Sequence, residues 1–320
     1  MEFSLHKTMA STNAVRQVAR LLDNRAQALF HEGRFEEAIE AAGAGITSAR
    51  CQYKEKDADS LRHLLEAILV AADIERQTGL RDAGESLYME ALKLAWADQV
   101  VQPQIAFAEA GLGYLHEERG ENEEAARYYE SAVKALDAVV PQAPEVAEEC
   151  GSLRNNLAMI YKEKGDYQAA EAHLVSAIER MESMCGRDHP TTATLYGNLS
   201  ALYCTVDHYE KAREMATLAR DIRHRILPAN HPENAQSLYS LGAIHYALDN
   251  LDAAVGCYEM ALEAMDSNEE SDPEEYQTVF ANYIGLLRQR GEEEKAEQIL
   301  QQALDRADEL DRASASDDAG

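Results

Sequence analysis

The sequence predicts an all-α chain built as a solenoid of about seven helix-turn-helix repeats, and three observations carry that prediction. A turn residue recurs seven times, as Gly33, Gly79, Gly120, Gly165, Asp207, Asp249 and Gly291, at intervals of 41 to 46 residues. Five positions after each of these, and again twelve positions after, every residue is Ala or Gly. All seven prolines fall between the repeats, where no helical N–H is lost.

Each element of the repeat follows from its residues. The first helix carries a small residue seven positions before the turn in six repeats: Ala26, Ala72, Gly113, Ala158, Ser200 and Gly242. The second helix carries the two small columns, Ala38, Gly84, Ala125, Ala170, Ala212, Ala254 and Ala296, then Gly45, Ala91, Ala132, Ala177, Ala219, Ala261 and Ala303. Tyr88, Tyr129, Tyr161, Tyr203 and Tyr258 supply the bulk that such small positions receive. Helices that interlock in this way approach closely. Pro103, Pro144, Pro190, Pro232 and Pro273 mark where first helices begin, and Asp272 precedes one of them as a capping residue. The first two repeats depart from the pattern, with Arg25 and Ala71 where Leu157, Leu199 and Leu241 stand later. The last repeat reads as one residue short before Gly291.

The small, small, aromatic pattern around a glycine turn resembles the tetratricopeptide repeat. The longer period, with Gly186-Arg187-Asp188-His189-Pro190 and Asn230-His231-Pro232 between repeats, resembles the 42-residue form found in kinesin light chains. The resemblance implies a right-handed superhelical solenoid whose first helices line a concave face that takes extended peptides or partner helices. Residues 1–12 are then an N-terminal extension, 13–310 the tetratricopeptide-like solenoid, and 311–320 a flexible acidic tail.

Composition excludes several function classes. Lys and Arg number 30 against 58 Asp and Glu, a formal net charge of −28 that repels phosphate backbones and anionic lipid. No nucleic acid and no membrane partner is therefore expected. No run approaches the ~20 apolar residues of a membrane span, and the N-terminus lacks a secretory h-region. Five cysteines, an odd number, fit a reducing compartment and a cytoplasmic protein; all five read as repeat-interior, inert thiols.

The chain carries no phosphate loop, nucleophile elbow or His-Glu-x-x-His helix, so no enzyme, catalytic residue, cofactor or metal site is expected. Gly111 and Gly113 lie inside a helix and serve close packing, while His189 and His231 read as turn or capping residues. His116 and His245 take packing positions held elsewhere by Tyr161 and Tyr203. Lys211, Arg213, Arg220, Arg223 and Arg225 are interleaved with acids and read as a solvated, ion-paired helix.

What remains is the inner face. Helical spacing from the core positions selects Asn156, Asn198, Ser240 and Asn282 as one inward column, with Asn155 and Tyr239 beside it. Met159, Ala201 and Ala243 form a second column, and Lys162, Cys204, Tyr246 and Arg288 a third. In earlier repeats Val70 and Asp73, then Gly111 and Tyr114, correspond. Asn is a poor helix former whose amide offers a donor and an acceptor together, the pairing a peptide backbone requires; the alternative use is to brace neighbouring helices. The groove expected to bind a partner is thus Asn155, Asn156, Lys162, Asn198, Tyr239, Tyr246, Asn282, Arg288 and Tyr114. The function this implies is a non-catalytic scaffold for a protein or peptide partner, with basic partners favoured by charge. Its rivals are a self-assembling protein that forms homo-oligomers through its terminal repeats, and a peptide-sensing regulator.

Overall fold

The computed structural model describes residues 18–54, 57–96, 102–139, 146–268, 272–301 and 303. The 1–12 extension, the 311–320 tail, Pro141 and Pro144 lie outside these residues. The described residues are α-helical, with short turns and no strand. Helix α1 covers 18–31, and α2 covers Phe35–Gln52. They are followed by α3 (Ala58–Gln77), α4 (Arg81–Trp96), α5 (Gln102–Glu118), α6 (Asn122–Val139) and α7 (Ala147–Glu163). Then come α8 (Tyr167–Met184), α9 (Pro190–Thr205), α10 (Tyr209–Ile226), α11 (Pro232–Ala247), α12 (Leu251–Asp266), α13 (Pro273–Gln289) and α14, described from 293 to 301. Two compact units divide the chain, Met1–His173 and Leu174–Gly320.

The seven turn residues share one conformation. Gly33, Gly79, Gly120, Gly165 and Gly291 have φ between 74° and 87°, and Asp207 and Asp249 have φ of 57° and 58°. In each turn the following amide donates back to the carbonyl five residues earlier, as in Arg34 N to Leu29 O (2.9 Å) and Asn250 N to His245 O (2.9 Å). This left-handed residue with its 6→1 bond is the Schellman ending, which satisfies carbonyls the helix leaves orphaned and reverses the chain. Glycine enters this region without strain, and Asp is among the few other residues that tolerate it.

Prolines start the next helices as expected. Pro190, Pro232 and Pro273 open α9, α11 and α13. The residue ahead of each is the cap: His189 Nδ1 accepts from Thr191 N (3.3 Å), His231 Nδ1 from Glu233 N (3.3 Å), and Asp272 Oδ1 from Glu274 N (2.9 Å). The two histidines therefore serve as acceptors at helix starts.

The small columns are the helix crossings. The alanines of the first column, Ala38, Ala125, Ala170, Ala212, Ala254 and Ala296, are fully buried, and Gly84 is buried with them. At Gly113 and Gly242 an added Cβ would run into the rings of Tyr129 and Tyr258, and at Gly111 into Tyr88. In the first unit α3 packs on α2, α4 and α5, and α6 on α5 and α7; in the second, α9 to α13 pack in sequence. The cores that result are continuous across several helices, which is how a repeat that cannot bury its own face becomes stable.

Three expectations change. The last repeat is not shortened: Tyr283, buried, stands eight positions before Gly291, where Leu157 stands before Gly165. Ile284 replaces the small residue that follows, so the pattern, not the length, is altered. Cys51 and Cys185 are exposed; of the five cysteines only Cys150 is buried, where loss of hydration pushes its thiol up to about 11. Tyr161 is only half-buried, with its ring stacked on His173 at 5.4 Å and its hydroxyl donating to Glu130.

Candidate partner-binding groove

In the first unit, residues of α3, α5 and α7 line an open cavity of about 530 Å³. Val70 and Asp73 from α3 and Gly111 and Tyr114 from α5 line it, the four positions that helical spacing selects in these repeats. Leu69 and Phe107 add apolar wall, and Glu66, Arg76 and Glu149 add charge. Tyr88 of α4 donates its hydroxyl to Asp73. Arg76 is bonded to Glu118 (2.8 Å), lies 4.0 Å from Asp73 and stands over the Tyr114 ring at 5.1 Å. Tyr114 in turn donates to Glu149 (3.2 Å).

Enclosure by these walls pushes the Asp73 carboxyl above its ordinary value, against the lowering influence of the Tyr88 bond and of Arg76. Glu149 is pushed up as well, by burial first and by the Asp73 charge among the lesser causes. Burial, together with the carboxylates they bond, also raises the Tyr88 and Tyr114 phenols. Both phenols are therefore neutral donors at neutral pH. Arg76 and Glu149 did not belong to the columns read from sequence. Arg76 lies three positions before Gly79, in register with Lys162 and Tyr246, so the third column extended backward would have found it. Glu149 sits at the start of α7, and no periodic signal marks it.

Lys162, Asn155 and Asn156 are part-buried on α7. Asn156 Nδ2 donates to the Tyr129 hydroxyl at 3.5 Å, between α7 and α6.

In the second unit a cavity of about 380 Å³ lies between α11 and α13. Ala243 and Gly285 contribute small side positions, and Tyr246, Asn282 and Gln289 contribute polar edges over Tyr258. Tyr246, 46% exposed, donates its hydroxyl to Gln289 (2.9 Å). Asn282 Nδ2 donates to the Tyr239 hydroxyl at 3.0 Å. The amide thus joins two first helices one repeat apart, while its exposed edge stays open to a ligand. Arg288 pairs with Glu293 at 3.2 Å on the exposed surface, and Asn198 is part-buried on α9. A second cavity of this unit, about 510 Å³, opens between α10, α11 and α12, away from the inward columns.

The α10 cations are engaged locally. Arg223 is buried and bonded to Glu233 and Ser237 (both 2.8 Å), Arg225 to Asp188, and Arg220 to Asp221, while Lys211 stands over the Tyr203 ring at 5.0 Å. No group of three or more His, Cys, Asp or Glu among the described residues is placed to hold a metal ion, and no helix among them is long and apolar enough to cross a membrane.

An all-α run of hairpins with a shared Schellman turn, small-residue crossings and first helices that line cavities defines a helical-repeat protein of the interaction-scaffold class. Residues 149–225 and 209–267 match the model of the tetratricopeptide repeat. Residues 149–267 are thus tetratricopeptide repeats, and the helix pairs outside that stretch share their turn residue and small-residue crossings. Among solved structures it is similar to BtubC (BKLC) from P. vanneervenii, at 26% identity over 75% of this chain and 94% of that one, with a TM-score of 0.63. A putative kinesin light chain of Podospora anserina with nearly identical repeats shares 17% identity over 65% and 97% of the two chains (TM-score 0.53). PilW, a type IV pilus biogenesis factor, shares 18% over 82% and 98% (TM-score 0.58). No curated protein sequence matches the chain.

Proposed function

We propose that the protein is a non-catalytic adaptor that holds an extended or helical segment of a partner protein against its first helices, in a reducing, cytoplasmic setting. The observation that supports this reading is the lining of the inner cavities. In each unit, positions spaced three residues apart on first helices present an aromatic ring, a polar edge and a small or apolar wall: Tyr114, Asp73 and Val70 in one, Tyr246, Asn282 and Ala243 in the other. Such a mixture of apolar area with a few directed polar groups is what a ligand-binding concavity needs. Groove lining of this kind binds through side-chain pockets and backbone amide pairing and needs no reactive residue.

The test is site-directed photocrosslinking. A benzoyl-phenylalanine placed at Tyr246 should trap a discrete partner in cells, whereas the same group at exposed Met260, on the second helix α12, should not. Equal trapping from both positions, or trapping only of a second copy of this chain, would refute the groove adaptor; the latter would establish self-assembly instead.

A further inference from the structure

We propose that the cavity of the first unit is a receptor for a basic side chain, Arg or Lys, presented by the partner segment. This rests on the groove reading above and adds the chemistry of the partner to it. The cavity, about 530 Å³, is walled by Leu69, Val70 and Phe107, which match the aliphatic stem of a long basic residue. Its charged lining is Glu66, Asp73 and Glu149 against the single Arg76. Arg76 is bonded to Glu118, lies 4.0 Å from Asp73 and stands over the Tyr114 ring, so one guanidinium is left to offset three lining carboxylates. Of the groups around Asp73 and Glu149, Tyr88 on α4 is a neutral donor and Glu148 on α7 adds a further negative charge, while Glu118 on α5 is paired with both Arg76 (2.8 Å) and Arg81 (2.9 Å). A partly open concavity whose half-buried carboxylates outnumber its cations gains from a cation that enters it.

Each carboxylate is also held in place. Asp73 accepts from Tyr88, and Glu149 accepts from Tyr114, so two acceptors on different helices are fixed without being neutralised. A guanidinium or ammonium entering between them finds pre-oriented partners, which lowers the ordering cost of binding. The elevated carboxyls have a consequence that can be measured: a cation favours their ionised forms, so binding in mildly acidic buffer releases protons.

The experiment uses the full chain and a fluorescein-labelled peptide of alternating Arg and Ala, about 12 residues long so that it exceeds the cavity. A second peptide replaces Arg by citrulline, its neutral isostere. Fluorescence polarisation at about 0.15 M salt suppresses attraction to the general negative charge. Asp73→Asn with Glu149→Gln keeps both hydroxyl bonds and removes both charges. Glu292→Gln with Glu293→Gln and Glu294→Gln removes three charges from the surface of the second unit.

The pocket variant should weaken the Arg peptide by about tenfold or more, and the surface variant by less than about threefold. Citrulline should abolish binding to the wild type. Titration calorimetry in two buffers of different ionisation enthalpy should show proton release with the wild type and none with the pocket variant, and unchanged melting of the pocket variant separates this from loss of fold. Equal weakening by the two variants, absence of proton release, or no affinity of the wild type for the Arg peptide would overturn the assignment. In that case a partner trapped from position 246 would still support the adaptor reading, with a different chemistry of recognition.

Discussion

The helix crossing in the sixth repeat can be tested with one methyl group. Gly242 lies in α11 under the Tyr258 ring, and a Cβ added there would sit 2.6 Å from Cε1, 2.7 Å from Cδ1 and 3.2 Å from Cζ. Tyr258 is 3% exposed and packed among Ala254, Ala261 and Leu262, so its ring can yield only by losing those contacts. Two effects oppose each other in Gly242→Ala. The helix gains about 1 kcal/mol from replacing glycine, and overpacking costs about 1–3 kcal/mol.

Gly285→Ala supplies the control, because Gly285 is also mid-helix and an added Cβ there meets nothing within 4 Å. That substitution should stabilise by about 1 kcal/mol. The two variants should therefore differ by the overpacking alone, about 1–3 kcal/mol, with Gly242→Ala the weaker. Urea denaturation followed by circular dichroism reads the difference. Pairing Gly242→Ala with Tyr258→Leu should recover part of the loss, since the shorter side chain vacates the space. If Gly242→Ala proves as stable as Gly285→Ala, the crossing is not set by the contact of glycine with tyrosine, and the small-residue columns lose their explanation.

Other expectations are equally open to measurement. Asp23 is buried against Gly45, and burial with the charge of Glu66 raises its carboxyl to about 6. Between its unfolded value of 3.8 and about 6 the folded chain binds the extra proton, so this residue's contribution to stability is present below that window and is lost as pH rises through it. Asp23→Asn should therefore stabilise at pH ~7.5 by about 1–3 kcal/mol and do little at pH ~4, and equal effects at both would refute the burial argument. Replacing His231 by Ala removes the acceptor for Glu233 N and should cost about 1 kcal/mol, whereas Asn there should preserve the cap. Arg223→Ala leaves Ser237 and Glu233 without their shared partner and should cost about 2 kcal/mol, visible as earlier melting. For Asn282→Ala, loss of the bond to Tyr239 is offset by better helix propensity, so folding stability should stay within about 1 kcal/mol of wild type. If the amide also meets the partner backbone, affinity for a partner trapped at position 246 should fall by about 5- to 150-fold.

The repeat was legible because it is local and geometric. A left-handed turn residue, a small residue at a crossing and a proline at a helix start each demand a particular residue type, and these demands recur every repeat at Gly33 through Gly291. The last repeat misled because Tyr283 and Ile284 satisfy the same packing with larger side chains. Helical spacing marks which side chains face the inner cavities, and it does not give the bonds they make there. Asp73, Tyr114, Tyr246 and Asn282 all border cavities, but Asn282 finds Tyr239 and Asn156 finds Tyr129 on other helices. Periodicity says which way a side chain points; it does not say what a neighbouring helix offers it. Glu149, which completes the first cavity from the beginning of α7, shows the same limit.

The middle inward column explains why the two units differ in chemistry on one frame. Six positions before the turns it runs Asp73, Tyr114, Met159, Ala201, Ala243 and Gly285. Where the column holds large polar groups, they fill the inner face and bond one another through Arg76, Tyr88 and Glu149, so the space left over is charged. Where it shrinks to Ala243 and Gly285, the floor recedes and the flanking columns, Asn282 on one side and Tyr246 with Gln289 on the other, become the walls of a neutral recess. The backbone frame is shared because turn, crossing and cap fix it at positions other than this column. Substitutions in this column can therefore change what is recognised at little cost to folding, whereas one added methyl at Gly242 cannot. Gly285→Leu should fill the recess of the second unit without meeting protein atoms near its Cβ, leaving melting at or above wild type while trapping from position 246 is lost. Retained trapping in that variant would mean that the recess is not part of the contact surface.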